Sequence, residues 1–375
     1  MSKAHINPAN ITWARERAGM TASELSKRLN VKEEQVASWE SGEDSPTMKQ
    51  ARNLADCTLV SFGLFFAKTT PQEELPIPDL RTIDGKGVQK PSASLIAIIR
   101  TVMERQDWYK EYRLENLYHE KSFKTKFTAD SPVDDIVKDM RARLELPTRR
   151  TGKWDDYERT VRNHIESLGV LVMKERDLGG ASKPLHVSEF RGFAIYDEIS
   201  PVVFINSADA KTAQLFTLIH ELAHIWIGQS GLSDISPNNH RKEEVKCNAV
   251  AAEFLVPANE LLDIWEHEHW RLDVAAIANH FHVSRWVIAR RALTLGLITQ
   301  DEYSQEIRKY VVDYEKSSDS SGPSYYRTKI SRLSKSFASA VVSEALSGRM
   351  LLRDAGHLLG TKPLNVKNLA KDLGI

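Results

Sequence analysis

The sequence predicts an α+β, predominantly helical fold built from several units, and three observations carry that prediction. A chain of 375 residues is long for a single core and calls for two or three folding units. Apolar residues recur at helical spacing over most of the chain. The exception lies between Gly169 and Ile205, where short β-branched and aromatic runs alternate with turn residues. Composition narrows the class further. With 41% hydrophobic and 27% charged residues, the chain is neither collagen-like nor disordered, and Cys57 and Cys247 are too few for a disulfide framework. Fifty-one basic residues balance fifty-one acidic ones, which excludes a surface devoted as a whole to nucleic acid. Two cysteines suit a reducing compartment. Met1 to Ile11 lacks an apolar signal core, and no run reaches the roughly 18 apolar residues that span a bilayer. A cytoplasmic protein without a membrane partner is expected.

Residues 11–66 read as a small helical unit. Thr21 with Glu24 three residues later forms a capping-box pattern ahead of a helix that reaches Leu29. Asn30-Val31 makes a turn, and a second helix runs from about Glu33 to Trp39. Glu40-Ser41-Gly42 ends it, and Pro46 opens a third helix from Thr47 to Leu54. Two helices joined by a tight turn make a helix-turn-helix. A linker rich in proline and acid follows, carrying Pro71, Glu73, Glu74, Pro76 and Pro78. From about Ser92 to Asn163 the pattern is helical, and Trp108, Tyr109, Tyr112 and Arg113 are read as scaffold. Val170 to Val172, Gly192 to Tyr196 and Val202 to Ile205 read as strands, parted by turn residues such as Gly179-Gly180 and Pro201. The Gly192 to Tyr196 strand is expected to offer an edge along which an extended peptide adds. Ala210 to Gly228 returns to helical periodicity.

That last helix carries the chemistry. It contains His220-Glu221-Leu222-Ala223-His224, so two imidazoles leave one helical face a turn apart. Such a pair can meet one zinc ion, with Glu221 beside the first ligand and placed to accept a proton. The flanks Leu218, Ile219, Leu222, Ala223, Ile225 and Trp226 are apolar, so the polar groups sit in a buried helix and need partners. A hydrolytic zinc site wants three protein ligands and one open position. Glu244 lies twenty residues past His224 at the start of another helix, with Asn248 one turn on. Glu244 is the preferred third ligand, ahead of Glu253 and Glu243, and Asn248 is expected to hold an imidazole N–H. Cys247 would make a closed structural site and reads better as packing.

These residues carry a family resemblance. Phe190-Arg191-Gly192-Phe193, Pro201 to Asn206, Phe216 to His224 and Glu244 to Pro257 resemble the ImmA/IrrE family of zinc metallopeptidases. Leu25, Leu29, Val31, Val36, Trp39 to Gly42 and Pro46-Thr47 resemble the lambda-repressor-like (XRE) helix-turn-helix family. Leu75 to Thr82 and the C-terminal part are similar to the fused XRE–peptidase subgroup. The resemblance implies a zincin-like core with His220, His224 and Glu244 as ligands of Zn2+ and Glu221 as the catalytic glutamate. It also implies cleavage of a regulatory protein, often an XRE-type repressor, that controls stress, mobile-element or toxin–antitoxin genes. A DNA-binding regulator with a non-catalytic zinc fold is the alternative. Glu33 and Glu34 stand where that helix-turn-helix family reads bases, and residues 1–66 carry eight basic and eight acidic side chains. Whether residues 11–66 bind DNA or a protein is therefore open.

Beyond the site, Val274 to Leu295 reads as a second helix-turn-helix with Arg285, Trp286, Arg290 and Arg291 on its second helix, and it is the other candidate DNA surface. Tyr196, His240, His267 and His269 are considered as oxyanion partners, and each reads better as structural or solvated. His267 with His269 and His280 with His282 read as ordinary surface histidines. Ser317 to Pro323 reads as a linker. Residues 320–375 carry nine basic and three acidic side chains, a net of plus six that could attract DNA or an acidic partner. The expected organisation is a helix-turn-helix over 1–68, a helical connector over 75–163 and a peptidase core over 164–270. A helix-turn-helix-like unit over 271–316 and a basic helical segment over 317–375 complete it.

Overall fold

The structure, a computed structural model, describes residues 3–72, 74–79, 91–116, 122–146, 154–178, 183–233, 241–315 and 332–375. Glu73, Leu80 to Thr82, Gly179-Gly180, His240, the Ser317 to Pro323 linker, Arg327 and Lys329 fall outside them. Two compact units are present. One comprises Met1–Pro76, Gln89–Met103 and Gly180–Pro184, and the other Ile77–Val88, Glu104–Gly179 and Leu185–Ile375.

The first unit holds α1 (Pro8–Arg17), α2 (Ala22–Leu29), α3 (Glu33–Ser41) and α4 (Met48–Thr58). Helix α1 is an addition to the three helices expected from the sequence, and Asn7 caps it and Pro8 starts it. The Thr21–Glu24 capping box forms at α2, and Asn30 ends that helix with φ 54°, a left-handed position that asparagine tolerates. Pro46 does not itself open the next helix: Thr47 caps α4, with Gln50 closing the box. Leu25, Val36, Trp39, Leu54 and Phe65 form the core of this unit.

Helix α5 (Ala93–Glu115) leads towards α6 (Val133–Leu144) and α7 (Trp154–Ser167). In the second unit, the latter half of α5 is tied down by its polar side chains. Gln106 donates to the Ser200 carbonyl at 2.8 Å, Arg113 donates to the Ile199 carbonyl, and Trp108 stacks on Tyr112. Then come β1 (Leu171–Glu175), β2 (Gly192–Ile195), β3 (Val202–Asn206), α8 (Lys211–Trp226), β4 (Gly231–Ser233) and α9 (Lys242–Leu255). The sheet order is β1-β3-β2-β4, with β1 parallel to β3 and the other pairs antiparallel. Every strand residue is buried, as expected of a sheet covered on both faces.

The edge expected at Gly192 to Tyr196 is a correction. β2 is interior, because β3 takes one side of its backbone and β4 the other. β4 is three residues long, too short to show period-two alternation in sequence. Its outer side is met by the chain itself. Leu232 N donates to the Pro78 carbonyl at 2.9 Å, and Asp79 bridges Leu232 in parallel.

Helices α10 (Ala258–Ile264), α11 (Trp270–Phe281), α12 (Arg285–Thr294) and α13 (Gln300–Glu315) follow, then α14 (Lys335–Leu346), α15 (Leu352–Leu358) and α16 (Val366–Leu373). α11 and α12 have the helix-turn-helix form, with His282 left-handed at φ 55° and Ser284 capping α12. Of the arginines of α12, one is built into the core. Arg291 is buried, donates to the Val256 carbonyl at 3.0 Å and pairs with Glu253, while Arg285 and Arg290 lie over Tyr310 and Tyr303. Glu166 on α7 accepts from Lys335 N at 2.9 Å at the start of α14. Burial, opposed by Arg162, raises its carboxyl above the usual range. Arg332, Arg349 and Arg353 in the basic C-terminal segment pair with Glu175, Glu344 and Asp354. Among the described residues no helix is long and apolar enough to cross a membrane.

Arg291→Ala should lower stability by about 1–3 kcal/mol, because it removes the donor to the Val256 carbonyl and the cation paired with Glu253. Chemical denaturation measures this, and a loss under about 0.5 kcal/mol would mean that water replaces both contacts.

Candidate metal centre

From Thr217 to Trp226 helix α8 is buried on every side, unlike a surface helix with one apolar stripe. It lies against β2 and β3 on one side and α9 on the other. Both of its ends are anchored. Gln214 donates to the Asp209 carbonyl at 2.8 Å, and Asp209 pairs with Arg191 at 2.6 Å. At the far end, Trp226 Nε1 donates to Asp139 at 2.9 Å, and Thr125 donates to the Trp226 carbonyl. Helix α9 is held against α6, where Arg141 donates to the Phe254 carbonyl at 2.8 Å. Lys246 at 2.6 Å from the Ser131 carbonyl fixes its first turns.

These anchors bring together His220, His224 and Glu244, each fully buried. The two Nε2 atoms are 3.3 Å apart. Glu244 Oε2 lies 3.2 Å from His220 Nε2, and Oε1 lies 3.1 Å from His224 Nε2. Among the described residues this is the one cluster of its kind. Glu253 is elsewhere, paired with Arg291 and accepting from Ala258 N. Glu243 is half-buried outside the cluster. Cys247 is a buried free thiol that burial pushes well above its usual range, which suits packing. Asn248 does not take the place expected of it. It is half-buried, and both Nδ1 atoms are buried with no hydrogen-bond partner among the described residues. The Nε2 edges, not the Nδ1 edges, face the cluster.

The donors fit a divalent cation such as zinc. Two fully buried imidazole nitrogens that face each other beside a carboxylate leave lone pairs that hydrogen bonds alone do not all satisfy, and a cation accepts every one. Ionisation fits as well. Burial, partly offset by Glu244, lowers the His224 pKa and favours the neutral imidazole that ligates. Burial would raise Glu244, but the two imidazoles outweigh it and hold its carboxyl far below the usual range.

Glu221 is fully buried beside this cluster and outside it. Its Oε1 has no hydrogen-bond partner among the described residues, and its Oε2 is 3.5 Å from Ser233 Oγ. Burial first, then the charge of Glu244, pushes its carboxyl well above the usual range. Gly192 makes the room: a Cβ there would stand 2.8 Å from Glu221 Oε1, from the Phe204 carbonyl and from Thr217 Cγ2. Sequence reasoning missed Ser233, whose Oγ is 3.0 Å from Glu244 Oε1 and 3.4 Å from His224 Nε2. A lone serine in a three-residue strand carries no sequence signal. Tyr196 is half-buried, with its backbone N–H bonded to Ser230 Oγ, and His267 and His269 are exposed.

Gly192→Ala should cost about 1–3 kcal/mol through overpacking and displace Glu221, because the Phe204 carbonyl cannot yield. Thermal unfolding and a crystal structure of the variant check both effects. The raised Glu221 also sets a pH dependence. The folded, metal-stripped chain keeps a proton that the unfolded chain loses near pH 4.3, so this group's contribution falls as pH rises, by up to about 1.4 kcal/mol per unit. Metal-stripped Glu221→Gln should therefore unfold with wild type near pH 4 and increasingly above it from pH 5 to 7. Parallel melting curves across that range would refute the assignment.

Comparison with known families agrees with this geometry. Residues 165–293 match the IrrE N-terminal-like domain of the M78 peptidases, residues 11–65 match a helix-turn-helix, and residues 333–372 match a domain of unknown function. No curated protein and no solved structure gives a match. The chain thus has the fused architecture of an XRE-like helix-turn-helix followed by a peptidase domain of the IrrE/ImmA type.

Proposed function

We propose that this chain is a zinc-dependent endopeptidase that cleaves a regulatory protein. One observation carries the reading: a buried carboxylate, Glu221, stands beside a convergent His220–His224–Glu244 donor set without belonging to it. A purely structural metal site has no use for that extra acid. His220, His224 and Glu244 would hold the zinc. When bound, zinc supplies a Lewis acid that makes water more acidic and polarises the scissile carbonyl.

The chain's own residues do the rest. Glu221 accepts the proton of the attacking water and then passes it to the leaving nitrogen. Burial in an apolar setting suits the second half of that task, since a carboxylate of ordinary acidity returns a proton poorly. Gly192 lets the carboxylate approach, and the apolar surroundings of α8 exclude bulk water.

The substrate class, an XRE-type repressor governing stress, mobile-element or toxin–antitoxin genes, rests on the family resemblance. The free thiols Cys57 and Cys247 agree with a cytoplasmic location. DNA as a second partner is supported by the match of residues 11–65 to a helix-turn-helix. Exposed Glu33 and Glu34 at the start of α3 oppose tight binding there, and in 274–295 packing claims Arg291, while Arg285 and Arg290 lie over tyrosine rings. Docking of the repressor onto the N-terminal unit is the reading preferred for residues 11–66.

Comparing protein N-termini in the host cell between wild type and Glu221→Gln tests the proposal. New termini that appear only with wild type would name the substrate. Matching profiles at rest and under stress, with zinc retained by both proteins, would overturn the peptidase reading in favour of a DNA-binding regulator.

A further inference from the structure

A hydroxyl that the His–Glu pattern does not include lies against the donor set. Ser233 is fully buried and ends β4, where its position is set by backbone pairing on both sides of that strand. Ser233 pairs with Gly192 of β2, and its carbonyl accepts from Arg191 N at 3.2 Å. On the outer side, the preceding Leu232 N donates to the Pro78 carbonyl. The hydroxyl is thus delivered to the site by the sheet and not by a loose side chain.

Its distances are informative. Two donors bound at about 2.0–2.1 Å to one tetrahedral ion stand roughly 3.3–3.4 Å from each other. His220 and His224 meet that spacing at 3.3 Å. Ser233 Oγ donates a hydrogen bond to Glu244 Oε1 at 3.0 Å and stands 3.4 Å from His224 Nε2, separations close to that between the two imidazole nitrogens. It also faces Glu221 Oε2 at 3.5 Å, on the side where a reacting water must lie within reach of the base.

We propose that Ser233 Oγ is a fourth, displaceable donor to the metal, which closes the site at rest and must withdraw before water and substrate can enter. The inference rests on the proposed metal centre and deepens it by naming what regulates access. A neutral hydroxyl is a weak donor, so it can hold the position and still give way, as a cysteine thiolate would not. Its withdrawal is coupled to β4. Any extended segment that displaces Ile77–Asp79 from the outer side of that strand acts on the backbone next to Ser233.

Cobalt(II) loaded into the full chain tests this by absorption spectroscopy. Ser233→Cys should place a thiolate on the ion and add a near-ultraviolet sulfur-to-cobalt charge-transfer band that wild type lacks. Ser233→Ala should shift the visible cobalt bands, and azide should perturb them at lower concentration than in wild type, because no hydroxyl has to be displaced. If Ser233→Cys binds one equivalent of cobalt without the new band, Ser233 is not a donor. Ser233→Ala spectra and azide response identical to wild type overturn the inference as well, whether or not the cysteine variant folds. Wild type that fails to bind an equivalent of cobalt or zinc removes the metal centre itself. The peptidase reading fails only in this last case and survives both of the others.

Discussion

The second unit is organised around one requirement, that α8 and α9 pack closely enough for Glu244 to meet His220 and His224 inside a dry core. Burying two imidazoles and two carboxylates is costly, and the surroundings must hold them in one arrangement for that cost to be repaid. The sheet sets one side of α8. Polar contacts then pin both helices at their ends, through Arg191–Asp209, Trp226–Asp139 and Arg141–Phe254. Each contact lies outside the cluster, yet each removes a freedom that would let the donors drift apart.

The same cavity drives its two acids in opposite directions. Burial raises both, but Glu244 has two imidazoles as neighbours and Glu221 has the negative charge of Glu244. One carboxyl is therefore kept ionised for a cation, while the other is kept ready to hold a proton. Position decides which role a glutamate takes, and the missing Cβ of Gly192 leaves the room that Glu221 Oε1 occupies. The division needs no chemical difference between the residues.

Elsewhere, part of the charge that looked available for partners is spent on the fold. Arg291 secures the turn after α9, Arg285 and Arg290 cover tyrosine rings, and Glu166 accepts from the first backbone N–H of α14. A count of basic residues on a helix does not reveal this, because guanidinium groups satisfy buried carbonyls as readily as phosphates.

The sequence alone determined the fold class, the helix-turn-helix, three of the four strands and the helix that bears His220, Glu221 and His224. It could do so because these features are written in local periodicity, capping chemistry and a four-residue spacing. Glu244 was also legible, as an acid at the start of an apolar helix. Tertiary structure alone decided the rest. β4 was too short to carry a pattern, and β2 became interior only when β4 paired with it. Asn248 does not reach an imidazole, because packing leaves both Nδ1 edges buried away from it. Ser233 entered the site through strand pairing across the chain, and no spacing within the sequence encodes such a contact.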